Sequence, residues 1–374
     1  MKLIAQIKLV TDKEQVKSLL ETMHKANAAC NFISETAWTE KAFGQFRLQK
    51  LCYYSVKEKF GLTAQVAVQC IKKVSDGYKL DKKTKRVFRK EGAISYDDRI
   101  LSFNLLKSQV SIWTVHGRKK IPFVCGERQK ELLKTRQGES DLVYRKGVFY
   151  LFVTCNVDEP TENDFNDTLG VDLGVKSIAT LSDGTEFSSL ALNSYRLKRH
   201  KIRKSLQSKA HKGKRTTRKN CRRLLKRLGK KESNFATNVN HTISKRIVDI
   251  ARAKGMVIAL EDLKGIRQRT LKRLRKSQRG LHSSWAFYQL RTFLIYKARL
   301  AGVPLVLVNP RYTSQTCNVC KHIGHRKGKV FDCPNCGHHS DADLNAAKVI
   351  ATVGSVVNQS ENSAMLSCAL HKAA

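Results

Sequence analysis

The chain has 374 residues, 41% of them hydrophobic, and carries 71 Lys and Arg against 31 Asp and Glu, a formal net charge of +40. A surplus of that size repels itself in the compact state unless a polyanion neutralises it, so nucleic acid or an anionic membrane is the expected partner, and disorder throughout is excluded by the apolar content. No run of eighteen apolar residues occurs, and Met1 to Leu9 alternates like a strand instead of forming a signal-peptide core, which leaves a soluble, cytoplasmic, nucleoid-associated protein with no membrane partner.

In chain order, the alternation from Met1 to Leu9 predicts a strand. Thr11-Asp-Lys-Glu14 has the form of a capping box, and Val16, Leu19, Leu20, Met23, Ala26, Cys30 and Ile33 follow at helical spacing. The pattern stays helical to about residue 76, a small helical domain inserted after one strand. Between residues 77 and 165 short β segments follow at Ile100, Val110, Asp141 and Val148, separated by turn signals at His116-Gly117 and Lys146-Gly147. This β-rich region reads as an antiparallel barrel or sandwich that the first strand joins, giving one domain over 1–10 and 77–165 and a helical one over 11–76.

The acidic stretch from Asp158 reads as a linker. Leu169 to Ser182, Asp183-Gly184 and Thr185-Glu-Phe187 predict a strand, a hairpin turn and a second strand. Arg196 to Lys231 holds eighteen Lys and Arg and no acid, with leucines at helical spacing, so two basic helices broken near Lys212-Gly213 are expected. Solvated faces mix signs and this segment does not, which favours contact with backbone phosphates through Lys198, Arg199, Lys201, Arg203, Lys204, Lys214, Arg215, Arg218, Arg222 and Arg223. A helix from Asn238 to Lys254, an apolar strand ending at Glu261, and a second basic stretch with eight Lys and Arg from Lys264 to Arg279 come next. That stretch adds Arg267, Arg269, Arg273 and Arg275 to the expected phosphate contacts. A helix from Ser283 to Ala301 and a buried strand from Val303 complete an α/β half.

Of eleven cysteines, scattered ones such as Cys30, Cys70 and Cys155 sit among apolar neighbours and read as core residues of a reducing compartment. Cys317, Cys320, Cys333 and Cys336 are different: two CxxC turns twelve residues apart supply four soft ligands for a closed tetrahedral zinc site. With no coordination position left open, one Zn²⁺ there is structural. His322, His325, His338 and His339 lie near enough in sequence to substitute, but cysteine is the expected ligand.

Three carboxylates stand where strands or turns would present them to one site. Asp172 interrupts an apolar strand, where a lone Asp is costly without a partner. Glu261 ends Val257-Ile-Ala-Leu-Glu, and Asp343 lies where an Asx cap starts a helix after the cysteines. A sheet opening with a hairpin, with an Asp on its first strand, a Glu after a later strand and an Asp at the last helix, is the RNase H-like arrangement. Clustered hard oxygens suit Mg²⁺, and two ions about 4 Å apart would activate water and stabilise the leaving oxygen of a phosphodiester.

Gly170-Val-Asp-Leu-Gly-Val-Lys176, Leu260-Glu-Asp-Leu263, Thr313-Ser-Gln-Thr-Cys317-x2-Cys320, Cys333-x2-Cys336-Gly337 and Asp341-Ala-Asp-Leu-Asn-Ala-Ala347 resemble the RuvC-like nuclease signatures of TnpB. TnpB is the transposon-encoded protein ancestral to type V CRISPR effectors. The helix from Asn238 to Val248 is similar to the segment preceding the family's glutamate strand, and the resemblance spans about Leu169 to Ile350. It implies a prokaryotic, Mg²⁺-dependent, RNA-guided DNA endonuclease whose partners are a guide RNA and a double-stranded DNA target, with one protein chain per RNA and a dimer left open. The catalytic residues carry over to Asp172, Glu261 and Asp343, the last chosen over Asp341 because it stands two before Asn345. The implied fold is multidomain α+β: a β-barrel-like wedge domain with a helical recognition insertion, a RuvC-like α/β nuclease domain over 166–316 and 337–374, and a zinc ribbon over 317–336. Delegating sequence recognition to base pairing suits a chain rich in backbone-directed charge. Two rival readings are an RNA-guided regulator that occupies DNA without cutting and an RNA-associated zinc-ribbon protein; the tail from Gly354 to Ala374 is expected to be flexible.

Overall fold

A computed structural model describes residues 1–163, 165–263 and 287–358. The basic stretch with Arg267, Arg269, Arg273 and Arg275, and the expected helix start at Ser283, lie outside the described residues. The chain divides into two compact units, Met1–Asp158 and Glu159–Ala374. Among the described residues, no helix is long and apolar enough to cross a membrane.

In the first unit, β1 (Lys2–Leu9) buries Ala5, Ile7 and Leu9 on one face, as its alternation requires. Three helices follow, α1 (Lys13–Thr39), α2 (Gln45–Phe60) and α3 (Ala64–Leu80). The box that starts α1 is shifted one residue from the expected position. Asp12, in extended backbone, accepts from the Gln15 amide at 2.7 Å while the Gln15 side chain accepts from the Asp12 amide at 3.2 Å. The charged carboxylate of Asp12 takes the cap expected at Thr11. Glycine ends α2: Gly61 sits at φ +60°, where a side chain would be strained.

The strands β2 (Ile94–Tyr96), β3 (Leu101–Asn104), β4 (Gln109–Thr114), β5 (Gly117–Val124), β6 (Arg136–Arg145) and β7 (Val148–Asn156) join β1 in one seven-stranded sheet of order β2-β6-β7-β1-β5-β4-β3. All neighbouring strands in it are antiparallel. The first strand of the chain is thus interior to the sheet, paired with β7 from Lys2 to Lys8 and with β5 at its end. A short helix, α4 (Glu127–Lys134), separates β5 from β6. Cys30, Cys70 and Cys155 lie in the core.

The second unit is built on a five-stranded sheet of β8 (Asp167–Asp172), β9 (Ser177–Leu181), β10 (Glu186–Ser188), β11 (Met256–Glu261) and β12 (Leu305–Val308), in the order β10-β9-β8-β11-β12. The first three strands form an antiparallel meander, and β11 and β12 are parallel to β8. Asp183-Gly184 makes the expected hairpin turn, with Gly184 at φ +91°. The basic helices α5 (Leu190–Lys212) and α6 (Arg215–Leu228) break at Gly213, and α7 (Lys231–Lys254) leads into β11. Helix α8 (Phe287–Ala301) lays Leu290, Leu294 and Ala298 beside Ile243, Ile247 and Ala251 of α7 in one core. Strand β12, read as buried, is the sheet's edge: Leu307 is 38% exposed and only Val308 is buried. An edge strand has one covered flank, whatever its composition.

Beyond β12, β13 (His325–Lys327), β14 (Val330–Asp332) and β15 (His339–Asp341) form a small antiparallel sheet, followed by α9 (Ala342–Asn358). This sheet runs past Cys336 to Asp341, five residues beyond the expected end of the ribbon. The tail read as flexible from Gly354 is helical to Asn358, and Gly354 is buried against the five-stranded sheet. A Cβ there would stand 2.3 Å from that of Ala259, so the small residue marks a packing contact rather than a loose end.

Candidate functional site

The three carboxylates reach one place by three routes. Val171 of β8 pairs with Leu260 of β11 in parallel register, so the next residues, Asp172 and Glu261, end adjacent strands at the same edge. Helix α9 is brought over β8 by Gly170, where a Cβ would lie 2.0 Å from the Ala347 carbonyl oxygen. Its first turn then delivers Asp343. Asp341 is used up in starting that helix, accepting from the amides of Asp343 and Leu344 at 2.9 and 3.0 Å, which separates the capping acid from the one left for chemistry.

Electrostatics tie the acids together. Burial pushes the Asp172 carboxyl up from 3.8 to about 8, and the charges of Glu261 and Asp343 add to the rise while Arg326 opposes it. Glu261, 8% exposed, is also raised by burial, against the pull of the Thr313 hydroxyl and of Arg326. Thr313 is buried and donates to Glu261 Oε1, fixing the carboxylate's orientation. Asp343, 7% exposed, accepts from the Arg326 guanidinium at 2.5 Å, and Lys329 Nζ lies 4.0 Å from its other oxygen. Buried acids that add to the cost of one another's charge form a site that favours multivalent cations. The oxygen-only donor set fits Mg²⁺ and would be poor for soft metals.

The cysteines also converge. The Sγ atoms of Cys317, Cys320, Cys333 and Cys336 lie within 4.8 Å of one another, with Cys317 to Cys336 at 3.7 Å and Cys320 to Cys333 at 3.4 Å. Sulfurs at about 2.3 Å around a tetrahedral ion stand roughly 3.8 Å apart, so the donor set fits zinc. The two CxxC turns are built alike. Cys317 and Cys333 donate from their amides to the carbonyls of His322 and His338, and their own carbonyls accept from Lys321 and Gly337, both at positive φ. The Cys320 thiol is held down to about 5, chiefly by the His322 backbone amide. Two of the four neighbouring histidines make other contacts: His339 with Asp332, and His322 with Asn335.

Asn345, buried in α9, clamps the cysteine loop to the acidic site by donating to the Thr316 carbonyl at 2.7 Å and accepting from the Asn318 amide at 3.0 Å. Thr313, Arg326, Lys329 and Asn345 were not singled out from sequence. Thr313 and Asn345 lie inside the quoted motifs, which is a signal. Arg326 and Lys329 sit in a plain basic hairpin and carry none.

Of the ten basic residues expected on α5 and α6, Arg199 is half-buried with its guanidinium 4.8 Å from the Tyr195 ring, and the other nine are exposed. Glu232, just past the acid-free stretch, lies 4.0 Å from Arg203 and 3.8 Å from the buried Arg196. Most of the cationic face is therefore open to solvent.

Comparison with known proteins gives first a class. Residues 151–267 match the family model of a probable transposase, and residues 287–350 that of the Cas12f1-like TNB domain. Among individual proteins, the chain is 27% identical over 356 residues to the CRISPR-associated endodeoxyribonuclease Cas12f1 of Sulfoacidibacillus thermotolerans, covering 82% of this chain and 81% of that one. It is 28% identical to the TnpB-like protein MJ0751 of Methanocaldococcus jannaschii, over 48% of this chain and 66% of that one. It is also 28% identical to the putative RNA-guided DNA endonuclease InsQ of Escherichia coli K12, over 50% and 49%. Two further Cas12f proteins are matched over only 37% and 40% of their own lengths. The fold is shared with the protein of a Cas12f1–sgRNA–target DNA complex at a TM-score of 0.61 and 16% identity, over 91% of this chain and 83% of that one. The resemblance to TnpB read from the motifs is borne out: the chain is similar to TnpB-like and Cas12f proteins.

Proposed function

We propose that the chain is a transposon-encoded, RNA-guided DNA endonuclease. The observation that carries this reading is the meeting of Asp172, Glu261 and Asp343 at one edge of a sheet whose order and strand directions are those expected of an RNase H-like core. The relatives' names, which include an endodeoxyribonuclease and a putative RNA-guided DNA endonuclease, support it. Asp172, Glu261 and Asp343 would hold two Mg²⁺ ions, and Cys317, Cys320, Cys333 and Cys336 one structural Zn²⁺. When bound, the magnesium ions supply a nucleophile from water and charge stabilisation at the leaving oxygen.

The chain's own residues prepare that chemistry. Asp172 must give up its proton for the acids to act as ligands, so protons compete with metal there and cleavage rises with pH. Thr313 orients Glu261, and Asp341 relieves Asp343 of capping. The exposed cations of α5 and α6 hold backbone phosphates of guide RNA or target DNA. The first unit would contain the wedge and recognition functions, reading a short duplex motif beside the target.

The test is plasmid cleavage by the full chain with its copurified RNA. Asp172→Ala should lower the rate at least a thousandfold while leaving target binding intact, the loss expected when a metal-ligating acid is removed. Cutting at the unmodified rate would sink the assignment, and cutting that survives complete removal of RNA would sink the guided reading. Binding without cleavage by the unmodified protein would favour the regulator.

A further inference from the structure

The solvent side of the seven-stranded sheet carries side chains that its core does not call for. Alternation buries Ala5 and Ile7 of β1 and Phe149, Leu151 and Val153 of β7, and turns Ile4, Gln6, Lys8, Tyr150 and Phe152 outward. Antiparallel register sets Gln6 directly across from Phe152 and Lys8 directly across from Tyr150. Ile4 is 65% exposed and the two rings are half-buried, side by side at the i and i+2 positions of one strand, about 7 Å apart. Apolar and aromatic groups gathered on a solvated face mark an interaction site. Cations frame this one: the Arg145 guanidinium of β6 lies 5.0 Å from the Phe152 ring, and Lys2 and Lys8 are exposed near the two ends of β1. On the outward positions of β1, β7 and β6 from Ser140 to Arg145 the one acid is Asp141, which accepts from Ser95 Oγ at 2.7 Å. The centre of a protein–protein contact is depleted of such charges, whereas rings interleaved with cations suit nucleic acid.

We propose that the outward face of β1 and β7 is a stacking platform for unpaired nucleotides of the guide RNA. Tyr150 and Phe152 each take one base, Gln6 offers its amide to a base edge beside Phe152, and Lys8 and Arg145 meet the backbone. This rests on the guide-RNA part of the proposed function and is independent of the nuclease site. A paired base hides its faces inside the helical stack, so a flat aromatic face selects single strands. Stacking releases no counterions, so this contact outlasts the phosphate contacts of α5 and α6 as salt is raised.

Filter binding at raised salt, with the full chain stripped of RNA and a mixed-sequence single-stranded RNA oligonucleotide as probe, tests this without any cleavage assay. Phe152→Leu keeps the apolar bulk and removes the ring, and should weaken binding about tenfold, as should Tyr150→Leu. Phe152→Trp should bind like the parent, and the salt slope should be the same in all three variants. A blunt RNA duplex should bind parent and variants alike. Parent-like affinity in both leucine variants, or an equal loss for the duplex, would overturn the platform. So would a dimer that Phe152→Leu dissociates with RNA affinity kept, which would give the face to a second copy of the chain. Ultraviolet irradiation of the copurified complex should join RNA to the β7 peptide that holds Tyr150 and Phe152; crosslinks that fall only elsewhere would remove the guide from this face. If no RNA copurifies, the guided reading itself fails, while the oligonucleotide still reports on the face. An unfolding midpoint equal to the parent's shows that each variant keeps the sheet.

Discussion

Asp172 is the residue whose energetics most differ from its surroundings. Its carboxyl is raised from 3.8 to about 8, so the folded state binds a proton that the unfolded chain has already released. Stability is therefore greatest below about pH 4 as far as this group is concerned, and falls as pH rises between the two values. Asp172→Asn should then raise the melting temperature of the magnesium-free protein by roughly 2–5 °C at pH 8, with a smaller gain at pH 5. An equal shift at both values would show that the carboxyl is not the source. Gly170 makes a second claim at this scale. Its missing Cβ lets the Ala347 carbonyl pass, so Gly170→Ala should destabilise the second unit by about 1–3 kcal/mol in denaturant unfolding and reduce cleavage by displacing Asp343. Both residues were legible in Gly-Val-Asp-Leu-Gly, the Asp by its cost in an apolar strand. The glycine's reason was not, because a helix 180 residues downstream supplies it.

Among elements, the cysteine-rich sheet has a core so small that an ion held by its four thiolates would have to supply the missing stability. It buries only Cys317, Phe331, Cys333 and Ala342 as a core, too little to fold alone. Cys333→Ser should abolish zinc retention and expose the amides of residues 317–341 to rapid hydrogen exchange, while the first unit keeps its protection; retained zinc by elemental analysis would contradict this. CxxC spacing announced the cluster because two short turns suffice to build it. The hairpin's contact with Asp343 was illegible, since nothing local to His325–Lys329 distinguishes those cations from others. Periodicity found the basic helices and the break at Gly213, but the composition of β12 suggested a buried strand where the sheet in fact ends.

For the whole molecule, the charge of +40 becomes a prediction about salt. The exposed cations of α5 and α6 should each release counterions on binding. Replacing Lys201, Lys204, Arg222 and Arg223 together by Ala should reduce the slope of log affinity against log salt concentration by about three, measured by filter binding with guide RNA. A slope unchanged by all four would place the phosphates elsewhere.

By itself the sequence determined what local chemistry can encode: a large cationic surplus from composition, the four converging cysteines from turn spacing, and the strands and helices from periodicity. The identities of Asp172, Glu261 and Asp343 were readable because each breaks a local rule or stands in a recognisable motif. Only the tertiary structure decided that β8 and β11 pair so that Asp172 and Glu261 end side by side, and that Asp341 caps the helix while Asp343 does not. It alone set Arg326 and Lys329 against both oxygens of Asp343. Parallel register, helix crossing and the reach of a long cationic side chain are contacts between segments distant in sequence, and no local pattern carries them.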